Sequence, residues 1–169
     1  MASGLAALRI LVIDDNPQMR TIVGTVLSAA GVGRIFYAPN GREGLSALMT
    51  HQPDVTFFDY EMPEMNGLDF ITRVRALDSD LRMTALIMLT GHSDGPRLRA
   101  ARDRGVTEFL AKPVAARTIL ARLQSVILHP RPFILSGNYF GPDRRRRNAE
   151  DYAGPRRWAS DSTVDTLEI

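Results

Sequence analysis

The sequence predicts an α/β fold, one parallel β-sheet with helices on both faces. Short apolar runs recur along the first three quarters of the 169 residues and are mostly continuous rather than alternating, as strands covered on both sides require. Segments with helical spacing lie between them. The two kinds alternate five times, the pattern of right-handed strand-helix-strand units.

The elements come in a regular order. A first strand is predicted over 8–13, LRILVI, and a first helix over 17–30. That helix carries Met19, Ile22, Val23, Val26 and Leu27 on one stripe, Asn16 as N-cap, Pro17 at its first position and Gly31 as its stop. Strands over 33–38, 55–58, 85–89 and 106–110 are followed by helices over roughly 41–50, 68–77, 96–104 and 114–128. The helix over 96–104 is the weakest: Leu98 is its one large aliphatic residue, and a stripe of alanines buries little area. Helical pattern ends at His129-Pro130-Arg131-Pro132, which sets a main domain over 7–129 and an irregular extension over 130–169. Five of the twelve aromatics, Phe133, Tyr139, Phe140, Tyr152 and Trp158, fall in that extension. Solvated linkers are poor in aromatics, so part of it should dock on its own domain or on a partner.

Composition narrows the function classes. With no cysteine, a disulfide framework, a thiolate metal site and a cysteine nucleophile are excluded. The N-terminus lacks the layout of a signal peptide and no apolar run reaches membrane-spanning length, so a cytoplasmic protein without membrane contact is expected. Residues 1–129 hold 14 Lys and Arg against 13 Asp and Glu, and residues 130–169 hold 7 against 6, so the basic pI is no evidence for a nucleic-acid-binding surface on the main domain, although the arginines of the second part are clustered.

In an open parallel sheet, chemistry collects at the carboxyl ends of the strands. Asp14 and Asp15 stand after the first strand, Asp59 after the third, Thr90 after the fourth and Lys112, the chain's one lysine, after the fifth. Each has an ordinary reading taken singly: helix-terminal acids, a turn residue, a cap, a surface lysine. Their joint arrival on one rim favours function. Three converging carboxylates repel one another unless a cation is present, and an all-oxygen set suits Mg²⁺. A carboxylate nucleophile, a hydroxyl, an ammonium and a metal are the parts that stabilise a phosphoryl group in transfer.

The stretches LRILVIDDNPQMR, DVTFFDYEMPEMNGLDF, ALIMLTGHSD and EFLAKPV resemble the receiver domains of two-component response regulators, including single-domain chemotaxis regulators, over about residues 7–128. The resemblance implies a flavodoxin-like sheet of order 2-1-3-4-5. It also implies Asp59 as phosphoacceptor, Mg²⁺ held by Asp14, Asp15, Asp59 and the Glu61 backbone carbonyl, and phosphoryl contacts from Thr90 and Lys112. Phe109 takes the aromatic switch position, and the Lys112-Pro113 bond is expected to be cis. Glu61 and His92 occupy positions that line the path of hydrolytic water. Gly91 and the hydroxyl-free Phe109 depart from the usual pattern; they imply a looser loop and a switch driven by packing alone.

The expected activity is a phosphorylation switch rather than an enzyme acting on other molecules, with only self-phosphorylation and slow autodephosphorylation. Its phosphoryl donor is a histidine kinase or phosphotransferase. Its output is protein contact, through the face of the fourth helix, fifth strand and fifth helix or through the extension, where Arg144, Arg145, Arg146, Arg147 and Trp158 are candidate contacts. Two other classes remain open: nucleic-acid binding by the Arg-rich extension, which the balanced charge disfavours, and a phosphate sink or relay intermediate.

Overall fold

The computed structural model describes residues 2–91, 95–144 and 162–166. A short helix α1 (Ala2–Ala6) leads into five parallel strands: β1 (Arg9–Ile13), β2 (Arg34–Ala38), β3 (Val55–Asp59), β4 (Ala85–Thr90) and β5 (Glu108–Ala111). Their order is β2-β1-β3-β4-β5, as the resemblance implies. The connecting helices are α2 (Pro17–Ala29), α3 (Gly41–His51), α4 (Gly67–Arg75), α5 (Gly95–Arg104) and α6 (Ala116–Leu128), with a 3-10 turn over Asp80–Met83.

Alternate side chains of each strand enter opposite cores. Ile10, Val12, Phe57, Ile87 and Leu110 face α2 and α6, where Val23, Leu27, Ile119 and Leu123 close over them. Leu11, Ile13, Phe58, Leu86 and Met88 face α3, α4 and α5 and meet Leu48, Phe70, Ile71, Val74 and Ala101. Three asparagines start the helices by accepting a backbone N–H with the side-chain oxygen: Asn16 from Gln18 at 2.9 Å, Asn40 from Glu43 at 2.8 Å and Asn66 from Asp69 at 2.9 Å. In α5, Ala101 alone is fully buried, in keeping with its alanine stripe.

Boundaries differ from expectation on either side of the Lys112 turn. The fifth strand starts at Glu108 rather than at 106, because the Thr107 hydroxyl accepts the Leu86 N–H at 2.9 Å. The last helix starts at Ala116 rather than at 114, after the turn that carries Lys112 and Pro113.

The larger correction concerns the extension, expected to be irregular. Strands β6 (Pro132–Ser136) and β7 (Tyr139–Pro142) form an antiparallel hairpin with Gly137 at φ 58°, and β8 (Ser162–Thr166) pairs with β6. The signal was present: Gly137-Asn138 joins two short runs rich in aromatic and aliphatic residues, and Gly supplies the positive φ of a two-residue loop. Phe133 is 2% exposed and lies against the Arg75 guanidinium at 4.8 Å; Arg82 covers Phe140 at 4.2 Å. Arg75 is itself buried, donating to the carbonyls of Gly105 at 2.9 Å, Arg82 at 2.6 Å and Thr84 at 2.8 Å. A Cβ on Gly141 would stand 2.9 Å from the Gly105 Cα, so only glycine allows this approach. Thr84, Gly105 and Thr107 precede β4 and β5, so the hairpin docks at the amino ends of the strands, opposite Asp59 and Thr90.

Candidate functional site: a carboxylate cluster with one lysine

The parallel register carries Asp14, Asp59, Thr90 and Lys112 to one rim, because each succeeds or ends a strand that runs the same way. The Asp14 backbone N–H donates to the Ala38 carbonyl at 3.2 Å, and its Oδ1 accepts from the Asn16 N–H at 2.9 Å. Asp59 ends β3, and its Oδ1 accepts from the Glu61 N–H at 3.4 Å. The loop after it is held tight by Gly67, where a Cβ would lie 2.9 Å from the Tyr60 Cα. Thr90 is buried at the end of β4, and its carbonyl accepts the Lys112 N–H at 2.9 Å. The Lys112-Pro113 bond is cis.

Lys112 Nζ stands 3.0 Å from Asp59 Oδ2 and 3.6 Å from Asp14 Oδ2. Asp14, Asp15 and Asp59 each offer a carboxylate oxygen within 4.8 Å of the others. Asp14 and Asp59 are buried and Asp15 is exposed, so the cluster opens to solvent on one side. Burial pushes the carboxyls of Asp14 and Asp59 above the usual carboxylate range, against the Asn16 N–H bond for Asp14 and the Lys112 bond for Asp59. Burial also opposes the charge of Lys112, but its bond to Asp59 and the charges of Asp59 and Asp14 outweigh that and raise it. Asp14 Oδ2 is buried and accepts no hydrogen bond. An orphaned buried oxygen among three clustered carboxylates fits a hard divalent cation, and an all-oxygen set fits Mg²⁺.

The remaining expected residues are placed more loosely. The Glu61 side chain is largely exposed and lies 3.6 Å from Arg97 Nη1. Phe109 is half-buried on β5, with the Arg102 guanidinium 5.8 Å from its ring and the Arg122 Nε donating to its carbonyl at 2.9 Å. Arg144 pairs with Asp103 at 2.6 Å, at the far end of α5 from the carboxylates. His92, Arg145, Arg146, Arg147 and Trp158 lie outside the described residues. Sequence reasoning missed Arg97. It packs over Tyr60 at 4.6 Å and lines an open depression of about 460 Å³ with Asp15, Glu61, Met62, Pro63 and Asn66. Nothing in the spacing of the α5 arginines singles it out.

The Response regulator receiver domain profile matches residues 10–124. This chain belongs to that family. The receiver is 31% identical over 121 residues to the chemotaxis protein CheY1 of Helicobacter pylori, covering 71% of this chain and 97% of that one. It superposes on the chemotaxis response regulator CheY4 of Vibrio cholerae with a TM-score of 0.67 at 32% identity, over 71% of this chain and 98% of that one. It is also 36% identical over 115 residues to a protein-glutamate methylesterase/protein-glutamine glutaminase of Haloarcula marismortui; the match takes in 67% of this chain but spans only 29% of that relative. The chain is thus a receiver domain of two-component signalling. Among its described residues no helix is long and apolar enough to cross a membrane.

Proposed function

We propose that this receiver is a phosphorylation switch whose acceptor is Asp59. The observation that carries the reading is the position of Lys112 Nζ, 3.0 Å from Asp59 Oδ2 and 3.6 Å from Asp14 Oδ2, beside a third carboxylate on Asp15. The donor is the phosphohistidine of a histidine kinase or phosphotransferase in the cytoplasm. A carboxylate oxygen of Asp59 attacks phosphorus, the P–N bond breaks with its electron pair returning to the imidazole, and an acyl phosphate forms. Asp14, Asp15, Asp59 and the Glu61 carbonyl would hold Mg²⁺, which supplies charge neutralisation for the phosphoryl oxygens when bound. Lys112 trades its hold on Asp59 for a phosphoryl oxygen, and the Thr90 hydroxyl bonds another. Phe109 moves with Thr90, since Phe109 and Ala111 share β5 and Ala111 pairs with Thr90.

The chemistry begins and ends on the receiver's own side chain, so its product is a binding state rather than a released molecule. Output passes through the surface of α5, β5 and α6. Asp59→Asn keeps the side-chain shape and removes the nucleophile. Intact-mass measurement after incubation with acetyl phosphate and Mg²⁺ should show a phosphoryl adduct on the wild type and none on the variant. An adduct at wild-type level on Asp59→Asn would place the acceptor elsewhere.

A further inference from the structure

The segment 95–128, which builds α5, β5 and α6, holds seven Lys and Arg against two acids, Asp103 and Glu108. Both acids are taken up by the extension. Arg144 reaches Asp103 at 2.6 Å, and Arg131 reaches Glu108 at 3.1 Å. Three of the seven cations are spent on other elements: Arg97 on Glu61, Arg104 on Asp69, and Lys112 on Asp59 and Asp14. Arg99, Arg102, Arg117 and Arg122 are exposed and form no ion pair with a described residue. Arg102 and Arg122 both converge on Phe109, the first over its ring at 5.8 Å and the second on its carbonyl at 2.9 Å. Arg99 lies one turn before Arg102 on α5.

An exposed ion pair such as Arg144 with Asp103 adds little stability. Its effect on the surface is larger, because together with Arg131 it cancels the negative charge of this segment. What is left is a half-buried aromatic with one guanidinium 5.8 Å from its ring and a second on its carbonyl. We propose that this face docks an acidic segment of a partner protein, carboxylates meeting Arg99, Arg102 and Arg122 while an apolar side chain meets Phe109. The inference rests on the switch reading for the choice of face and adds the chemistry of its occupant. Guanidinium forks match carboxylates in paired hydrogen bonds, and complementary charge speeds encounter and excludes wrong partners. A protein segment fits better than a nucleic acid, because the cations gather about one aromatic instead of tracking the length of a strand.

The test uses the full chain and a fluorescein-labelled peptide rich in glutamate with one central leucine. A lysine-for-glutamate peptide and a single-stranded oligonucleotide serve as controls. Anisotropy is read at low and physiological salt, with and without beryllofluoride and Mg²⁺. The acidic peptide should bind tightest, and Arg102→Glu/Arg122→Glu should weaken it at least about tenfold. Arg131→Ala/Arg144→Ala, which returns Glu108 and Asp103 to the surface, should weaken it in the same direction; acetyl-phosphate labelling and circular dichroism of both variants should match wild type. Equal binding of the acidic and basic peptides, or reversal variants that bind like wild type, would overturn the proposal. Tighter binding of the oligonucleotide would overturn it in favour of a nucleic-acid surface. Acidic-peptide binding that ignores beryllofluoride would uphold the docking face while removing the switch; labelling with no acidic preference would do the opposite.

Discussion

The guanidinium of Arg75, the last residue of α4, lies 4.8 Å from the ring centroid of Phe133 in the extension. Among the described residues Arg75 has no acid beside it. Backbone carbonyls and the Thr107 hydroxyl at 3.3 Å satisfy its donors, and burial pulls its pKa down to about 9. The ring therefore covers a buried, desolvated cation, a setting in which such a contact is worth about 2 kcal/mol.

Removing that cover should cost stability. Phe133→Ala is expected to lose about 3–5 kcal/mol in denaturant unfolding, as a buried aromatic does, and truncation after Leu128 should lose at least as much. Phe133→Leu, which keeps apolar area but not the ring, should fall between. Full stability of the truncated chain would show that the hairpin only rests on the domain.

Lys112→Ala should leave phosphoryl transfer measurable and remove its effect on the α5, β5 and α6 surface. The same change should tighten Mg²⁺ binding, since the Lys112 ammonium competes for the charge of Asp14 and Asp59. Isothermal titration with Mg²⁺ reads the second effect, and weaker binding by the variant would contradict it.

Asp59→Asn should stabilise the protein at neutral pH in the absence of Mg²⁺. Burial raises the Asp59 carboxyl above its ordinary 3.8, so the ionised form is disfavoured in the folded state. The resulting penalty is absent below the unfolded pKa, grows as pH rises toward the folded one and is complete above it. Melting curves should therefore show the variant ahead at pH 7 and level with wild type below about pH 3.5, the acid side of the ordinary aspartate pKa. A constant difference across that range would mean that the gain does not come from titration of Asp59.

Arg97→Ala should shorten the lifetime of the acyl phosphate. Arg97 ties Glu61 and Tyr60 together beside Asp15, and losing it widens the depression and frees Glu61 of that tie. The effect should be a few-fold, the scale of a partly exposed ion pair worth about 1 kcal/mol. Decay of the adduct after donor removal measures it, and an unchanged or longer half-life would count against the role.

Much of this molecule is legible in its residues. Five continuous apolar runs interleaved with amphipathic helices demand a parallel sheet, and a parallel sheet brings the residues at the carboxyl end of every strand to one rim. Asp14, Asp15, Asp59, Thr90 and Lys112 could be placed near one another for that reason alone. The caps Asn16 and Pro17 and the weakness of the fourth connecting helix also come from local rules of hydrogen bonding and apolar area. Tertiary structure decided everything set by contacts across long sequence separations. The Gly137-Asn138 turn is local, but the value of the hairpin depends on Phe133 meeting Arg75, and that an arginine at position 75 would be buried cannot be read from α4 alone. The ties of Arg97 to Glu61, Arg131 to Glu108 and Arg144 to Asp103 join distant segments through exposed, flexible side chains. Periodicity encodes which face of an element is buried; it does not encode which surface charges meet, because that is decided by how the finished elements pack.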